Sequence, residues 1–377
     1  MLNSIVKQLS NLPGWRTKRK IVVIESDDWG SVRIKDKKAF DALDRAGLNV
    51  KEKHFDSYDT LESNEDLEML FDALSSVLDS NKRSAVFSPM CILGNPDLRK
   101  INENGFTEYH FQPLKDTIKE YPRSDNILKL WNEGNSLKIF DLGLHGREHV
   151  NVNRFMDILM SHPGKEGLRI AVKNKSLGPS KYKNYHYSNY LGALHPGRKD
   201  EISNLHSYIL EAGTLFKKYT GLSPKVFVAP DAEEPKELEK SLSKIGVKFL
   251  TRSKHRMYPV GDGYYKREWN FLGQRNNLGQ VIINRNCSFE PCRISKHALG
   301  KKGLESCMKD IGIAFKWQKP AVISTHRVNY VSGIQKKNRE KGIRDLKKLL
   351  YQITQTWEDV EFMASSELGE LVSSELS

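Results

Sequence analysis

Two adjacent carboxylates close the first apolar segment of the sequence. The segment KIVVIESDDWG is apolar until it reaches Asp27 and Asp28. In parallel α/β folds, ligands bind at the C-terminal ends of the strands, so two acids at this place are positioned for chemistry. One of them could bind a metal ion while its neighbour acts as a base. The alternative is structural, since either residue could cap a helix that begins near Ser31 or shape a turn with Gly30.

Two histidines follow another predicted strand at a spacing of four residues. The segment LKIFDLGLHGREHVN ends in His145 and His149. This spacing lets two imidazoles meet one ion from a single helical turn or a tight loop. Together with Asp28 they would supply three protein ligands and leave one position open for water or substrate, as in catalytic zinc sites. Such an ion lowers the pKa of its bound water to about 7 and polarises a carbonyl group.

A third strand-like segment, PAVISTHRVNY, places His326 at its C-terminal end. Taken alone, a histidine after a strand is more often a loop or core residue. Beside the other two strand ends, it could protonate a leaving amine or alcohol opposite a carboxylate base. The three strand ends together predict a metal-assisted hydrolase.

The elements that would position these residues alternate between short β-rich runs and helical patterns, as in parallel strands joined by crossover helices. Two longer stretches, 61–79 and 201–219, have the periodicity of amphipathic helices. The strand candidates are Lys20–Glu25, Ala85–Ser88, Lys138–Leu144, Lys225–Ala229, Val247–Thr251, Gln280–Asn284, Ala321–Thr325 and Val360–Ala364. This number of strands is close to that of a barrel.

The chain shows no sign of a domain boundary. It contains no internal repeat, low-complexity tract or proline-rich linker. The segment 151–224, between the third and fourth predicted strands, is longer than a simple crossover requires, so we predict an insertion there. We therefore predict a single catalytic domain over 1–377, with its core at about 20–364.

Composition narrows the class of protein. With 38% hydrophobic and 28% charged residues, the chain has the balance of a soluble globular protein. Its four cysteines form no C-x-x-C pair, which predicts buried, reduced thiols. The sequence has no long apolar run that would form a transmembrane segment, and its first twenty residues turn basic after a few apolar ones, the reverse order of a secretory signal peptide, so we expect a cytoplasmic location.

The net charge of +13 could attract nucleic acid, an anionic membrane surface or an acidic substrate. The alternative is that the charge serves no partner and forms a basic surface in contact with solvent. The lysines and arginines are spread out, and no aromatic-interleaved nucleic-acid motif accompanies them. We therefore expect no nucleic-acid partner.

The order of these motifs resembles that of the polysaccharide deacetylase superfamily, which includes carbohydrate esterase family 4 and the chitooligosaccharide deacetylases. The resemblance spans about 20–364 and implies an α/β fold, a distorted (β/α) barrel of about seven to eight mostly parallel strands. It also implies removal of acetyl groups from an N- or O-acetylated carbohydrate. Asp27 would be the catalytic base, His326 the general acid, and Asp28, His145 and His149 the ligands of a divalent ion. Zinc (Zn2+) is the expected ion, with cobalt, nickel and iron as alternatives. The division of roles between the two aspartates rests on this resemblance.

The motifs also depart from the family pattern. The first usually reads T-F-D-D-G, whereas this chain has E-S-D-D-W-G, and Gly146 stands where Ser or Thr usually follows the first histidine. The segment VFVAPD lacks an arginine that would orient the base, a charge that Arg147, Arg285 or Arg327 could replace. The residues that we expect around the substrate are Trp29, Arg147, Pro230, Asp231, Arg285, Asn286, Glu290 and Arg327. The segment INRNCSFEP contains Arg285, Asn286 and Glu290, and the alternative to a place in the pocket is that it forms a packed loop.

The expected partner is an acetylated sugar or oligosaccharide, and an anionic one would suit the positive charge. Two other functions fit the same scaffold. A glycoside hydrolase would use Asp27 with Glu290 or Asp231 as its paired carboxylates. A catalytically silent homologue would bind carbohydrate without turning it over. The sequence predicts no particular oligomeric state.

Overall fold

The computed structural model describes residues 11–178, 181–186, 190–293 and 303–376. Within these residues, nine strands form one sheet and six short strands form three antiparallel pairs. The strands are β1 (Lys20–Trp29), β2 (Phe87–Ile92), β3 (Gly94–Pro96), β4 (Phe111–Pro113), β5 (Gly143–Gly146), β6 (Lys181–Tyr182), β7 (Tyr185–His186), β8 (Val226–Val228), β9 (Phe249–Thr251), β10 (His255–Gly261), β11 (Tyr264–Trp269), β12 (Val281–Ile283), β13 (Cys287–Ser288), β14 (Ala321–His326) and β15 (Val360–Phe362). The helices are α1 (Lys37–Arg45), α2 (His54–Tyr58), α3 (Asn64–Leu74), α4 (Leu98–Glu103), α5 (Leu114–Thr117), α6 (Ile127–Ser136), α7 (Val152–Ser161), α8 (Lys165–Lys173), α9 (Ile202–Thr220), α10 (Glu239–Lys244), α11 (Leu304–Lys316), α12 (Lys336–Thr356) and α13 (Ser365–Glu375).

The large sheet is parallel and has the order β12-β9-β8-β5-β2-β1-β14-β13, with β15 paired to the start of β1. Its two edge strands, β12 and β13, are separated along the chain by residues 284–286 alone. Because so short a connection spans little distance, the two edges lie close together and the sheet curls into a barrel. We call residues 284–286 the barrel seam. The α/β class and the distorted, mostly parallel barrel are confirmed.

All eight predicted strands belong to this sheet, although their ends differ from the predicted ones. The largest difference is in the third predicted strand, which begins at Gly143 rather than at Lys138. Lys138 has a φ of 58°, a left-handed conformation that cannot continue a strand. The two predicted amphipathic helices are present as α3 and α9.

Side chains alternate along β1 between two hydrophobic clusters. Val22 and Ile24 belong to the cluster beneath the surrounding helices, whereas Ile21 and Val23 belong to the one inside the barrel. This is the alternation that a pleated strand imposes. The C-terminal helix α13 packs against the inner cluster through Leu368 and Val372. It begins directly after Ala364, whose backbone N–H donates to the carboxylate of Glu367.

The segment 151–224 contains α7, α8, the β6–β7 pair and α9. Helices α7 and α8 share a third hydrophobic cluster with α1, to which Phe40, Phe155 and Leu168 belong. Residues 179–180 and 187–189 of this segment lie outside the described residues. That this segment is an insertion in a single catalytic domain stays a prediction.

The four cysteines are buried and free, as the sequence predicts. In the described part of the chain, none of the helices combines the length and the apolar character that crossing a membrane requires. Residues 1–10, which contribute to the expectation of no secretory signal, lie outside the described residues. The cytoplasmic location stays a prediction.

Candidate metal centre and active site

The end of β1 is a bulge that brings two neighbouring carboxylates to one cavity. Asp27 and Asp28 lie opposite the single residue Met90 of β2, because the register of the ladder shifts there. Asp28 takes a φ of 78°, which is unusual for a residue other than glycine. An extra residue of this kind bends the strand and re-aims its side chains. Both carboxylates therefore line the cavity, although successive residues of a regular strand point to opposite faces.

Asp28, His145 and His149 place one ligand atom each within 4.8 Å of one another. Asp28 Oδ1 lies 3.4 Å from His145 Nε2 and 3.2 Å from His149 Nε2. The Nδ1–H of His145 donates to the carbonyl oxygen of Val228 at 2.8 Å, which fixes the ring and leaves Nε2 for a ligand. One carboxylate and two imidazoles are a donor set for a divalent metal such as zinc. The residues present therefore fit a metal ion.

The glycine that follows His145 departs from the family pattern for a physical reason. Gly146 has a φ of 147°, a conformation that residues with a side chain rarely adopt. A Ser or Thr at this position would be strained. The turn after β5 can therefore bring His149 back beside His145 only with a glycine or with a different backbone path.

Arg285, from the barrel seam, holds the first aspartate from below. Its Nη1 and Nη2 donate to the two carboxylate oxygens of Asp27 at 2.6 Å each, and its Nε donates to Glu25 at 2.7 Å. Paired bonds of this kind fix the plane of a carboxylate. Burial raises the pKa of Asp27, but the Arg285 charge and its hydrogen bonds, with smaller contributions from His145 and His326, offset that effect and leave the pKa below its ordinary value. Of the three candidate arginines, Arg285 is the one that orients Asp27.

His326 lies on the other side of Asp27, with Nε2 at 3.8 Å from Asp27 Oδ2. Its Nδ1 lies 2.6 Å from Glu290 Oε1, and the other oxygen of Glu290 accepts a hydrogen bond from Asn329 at 2.7 Å. The Phe55 ring packs against the imidazole in a T-shaped arrangement with the ring centres 5.1 Å apart. Burial lowers the pKa of His326, but the Glu290 carboxylate and the aspartates more than offset it and raise the pKa to about 10. The imidazole is therefore protonated, as a general acid must be.

These groups open into a cavity of about 310 Å³ at the C-terminal ends of the strands. Its polar floor is the cluster just described. Asp231, with a φ of 53°, extends this polar surface from the turn after β8. Leu177 and Leu191, from the segment 151–224, form an apolar wall together with Phe55. The cavity therefore offers charged groups at its floor and an apolar surface beside them, as small-ligand sites commonly do.

Six of the eight residues that we expected around the substrate do not line the cavity, and three of these six are Trp29, Arg147 and Pro230. Trp29 is fully buried in the core, where its Nε1–H donates to Ser26 Oγ. The Arg147 guanidinium stacks 3.8 Å from the centre of the Tyr208 ring and pairs with Glu148. These two residues are structural because their polar atoms are satisfied by protein groups away from the cavity. Pro230 is buried beside the cavity without lining it.

Each of the other expected residues either stabilises the fold, supports His326 or lines the cavity. Asn286 accepts a hydrogen bond from the N–H of Val322 and so ties the barrel seam to β14. Arg327 is fully buried and pairs with Asp59 and Glu62 beneath the cavity. Glu290 does not line the cavity but supports His326. Of the expected pocket residues, Asp231 and Arg285 line it.

The cavity also contains residues that the sequence interpretation missed. Arg33 lines it and pairs with the buried Asp56 at 2.6 Å, and Asp59 and Phe55 come from the region of α2. Arg33 comes a few residues after the aspartate pair in sequence, and this closeness could have indicated that it lies near the cavity. The stretch around α2 matches neither a strand nor a long helix, so no periodic pattern marks Phe55 or Asp59.

No protein-family model matches the sequence, and no curated protein matches it. Similar solved structures include a protein described as a polysaccharide deacetylase from Mycobacterium smegmatis, at 10% identity and a TM-score of 0.45, over 97% of this chain and 94% of that one. A 4-alpha-glucanotransferase from Thermococcus litoralis has 11% identity and a TM-score of 0.44, over 93% and 40%. A family CE4 pseudoenzyme from Bacillus anthracis has 10% identity and a TM-score of 0.35, over 93% and 65%. Polysaccharide deacetylases are thus among the solved structures to which this chain is similar.

Proposed function

We propose that the protein is a metal-dependent carbohydrate deacetylase, a divergent member of the polysaccharide deacetylase superfamily. The observation that carries this proposal is the arrangement of one cavity. Asp28, His145 and His149 form its donor cluster, with Asp27 on one side and His326 beside Asp27. An ionised carboxylate and a protonated imidazole at a metal-binding cluster are the groups that hydrolysis of an acyl bond requires.

The donor cluster would hold a divalent ion, with Zn2+ as the first candidate and Co2+, Ni2+ or Fe2+ as alternatives. When bound, such an ion would lower the pKa of water and polarise the acyl carbonyl. Because the His145 ring is fixed by the Val228 carbonyl, its Nε2 needs little rearrangement to act as a ligand.

The remaining chemistry belongs to the side chains. Asp27, ionised and held in one plane by Arg285, accepts the proton of the attacking water. The water oxygen forms a bond to the acetyl carbon, and the bond from that carbon to the sugar nitrogen or oxygen breaks. His326 gives its proton to the leaving amine or alcohol. The products are acetate and a sugar with a free amine or hydroxyl group.

Release of acetate tests this proposal. Purified protein with added zinc is incubated with a panel of N- and O-acetylated sugars and oligosaccharides, and free acetate is measured with and without a chelator. We expect acetate release that the chelator abolishes and that Asp27→Asn lowers by at least about 100-fold. An absence of acetate from every substrate, in protein that carries its metal, would overturn the proposal.

The rival glycoside hydrolase receives less support from the geometry. Both carboxylate oxygens of Glu290 are bonded, one to His326 and one to Asn329, and Glu290 does not line the cavity. Asp231 is then the remaining partner for Asp27. A new reducing end without acetate would favour this rival, and binding of oligosaccharide with neither product would favour a catalytically silent protein.

A further inference from the structure

The β10–β11 hairpin has one face on which large side chains are exposed. In register, His255 pairs with Trp269, Met257 with Arg267 and Pro259 with Tyr265, so these six residues share a face. We call it the aromatic face. Trp269 is 65% exposed, Tyr265 42% and Met257 41%. Clusters of exposed apolar side chains usually mark binding surfaces.

The opposite face of the hairpin is anchored by buried charges. Arg256 is buried and pairs with Glu234, and Glu268 accepts a hydrogen bond from Lys236 at 2.6 Å. Because these contacts fix the hairpin, the direction of the aromatic face is set by the fold. Its side chains are held out from the molecule before any ligand arrives.

The aromatic face begins at the rim of the catalytic cavity. The hydroxyl group of Tyr265 lies 2.7 Å from His195 Nε2. His195 ends a short turn that starts next to Leu191, which lines the cavity. Tyr265 also interacts electrostatically with Glu233, which directly follows the cavity residues 231–232. Trp269 lies on the same face four residues further, about 13 Å away.

We propose that the aromatic face binds the sugar units next to the one that reacts, so that the substrate is an oligosaccharide or a longer chain rather than a monosaccharide. This inference rests on the proposed function. The occupant follows from the continuity of the face with the cavity, whose volume of about 310 Å³ suits one sugar unit and leaves its neighbours outside. The rings of Tyr265 and Trp269 can stack on the apolar faces of sugar rings. Arg267, between them on the same face, is exposed and can donate to sugar oxygens.

The experiment compares substrates of different length in matched variants. We measure kcat and KM for an acetylated monosaccharide and for its tetramer in the wild type, Trp269→Ala and Tyr265→Ala. The control is Tyr351→Ala, which removes an aromatic side chain of 58% exposure from helix α12. We expect KM for the tetramer to rise about tenfold in the hairpin variants, while kcat for both substrates and KM for the monosaccharide stay within about twofold of the wild type. The control should match the wild type.

Equal effects on both substrates, or none, would overturn the inference and leave the proposed function intact. If the wild type releases no acetate from either substrate, the proposed function fails, and calorimetric binding of the tetramer to the wild type and Trp269→Ala then tests the surface alone. Equal binding or no binding overturns the inference in that case too. A concentration-dependent dimer that Trp269→Ala abolishes would show that a second copy covers the face, which also contradicts the inference.

Discussion

At the scale of single residues, the site depends on how its buried charges are compensated. Arg285 contacts the carboxylates of both Glu25 and Asp27. Glu25 is fully buried and also accepts hydrogen bonds from the hydroxyl groups of Thr251 and Ser365. One arginine thus pairs with two acids inside the barrel. The carboxylate that we propose as the base, Asp27, is therefore coupled to the stability of the fold.

Replacing Arg285 should damage both the fold and the reaction. In Arg285→Gln, the buried Glu25 and Asp27 lose their cation, and we expect a loss of about 3–5 kcal/mol in the free energy of unfolding. The pKa of Asp27 should rise because burial, which raises it, is then offset only by the smaller contributions of His145 and His326. Urea unfolding and the acid limb of the kcat/KM profile measure the two effects. Arg285→Lys, which keeps the charge without the paired bonds, should recover part of the stability, and equal loss in both variants would contradict this account.

The Glu290 carboxylate should set the alkaline limit of activity. It is the main group that raises the pKa of His326 to about 10. In Glu290→Gln this negative charge is gone, so the pKa of His326 falls and the imidazole loses its proton at lower pH. Since the protonated form is the acid, we expect the alkaline limb of kcat/KM to move to lower pH while the acid limb stays. An unchanged alkaline limb would show that His326 is not the acid.

At the scale of the elements, the bulge at the end of β1 decides which side chains reach the cavity. It depends on Gly30, which has a φ of 84° and lies close to β2. A Cβ added to Gly30 would collide with the carbonyl oxygen of Ile92. The backbone there has no room to keep both aspartates in place around a larger residue.

Gly30→Ala should therefore be destabilising beyond the effect of its dihedral angle. Gly47→Ala is the matched control, because Gly47 has a φ of 77° but a Cβ added to it would meet no atom within 4 Å. We expect the control to lose about 1 kcal/mol of stability and Gly30→Ala clearly more, with a large loss of kcat. Thermal and urea unfolding measure the difference. Equal losses in the two variants would mean that the close approach to Ile92 carries no cost.

The sequence predicts the elements better than it predicts their ends. Apolar runs mark all eight predicted strands, because buried parallel strands have nearly continuous apolar sequences. The bulge at Asp28 has no such signal, since it results from how β1 meets β2 and not from local propensity. The β10–β11 hairpin was also missed, because its exposed face carries Trp269 and Tyr265 instead of the usual polar alternation.

The residues of the site can be divided in the same way, into those that the sequence marks and those that only the fold brings into place. Asp27, Asp28 and His326 could be found because each comes at the end of a recognisable strand. Arg285 was one of three candidate arginines, and only the closure of the barrel, which places the seam beneath Asp27, distinguishes it. Trp29 is next to the aspartates in sequence, but its side chain points into the core. The bulge in β1 determines this direction, and the sequence does not reveal the bulge.

At the scale of the whole molecule, charge bears on the choice of substrate. The chain has a formal net charge of +13. Positive charge of this size raises the rate at which anionic ligands arrive, and salt screens the effect. A preference for an acidic carbohydrate, which this charge favours although the cavity itself contains several carboxylates, stays a prediction.

The effect of salt on turnover tests this preference. For acetylated oligosaccharides that carry carboxylate or phosphate groups, we expect kcat/KM to fall about tenfold between low salt and about 0.5 M salt. For neutral oligosaccharides of the same length, it should change by no more than about twofold. Identical salt dependence for the two sets would show that the net charge plays no part in substrate choice.

The barrel brings two distant parts of the chain, the end of β1 and the end of β5, to one donor cluster, and metal content tests this claim most directly. Purified wild type, His145→Ala and the control His206→Ala, whose histidine bonds to Ser241 away from the cavity, are analysed for bound metal after exposure to zinc and removal of the excess. We predict about one zinc ion per chain in the wild type and the control, and loss of most of it in His145→Ala. Absence of zinc from the wild type, or equal zinc in all three proteins, would contradict the account.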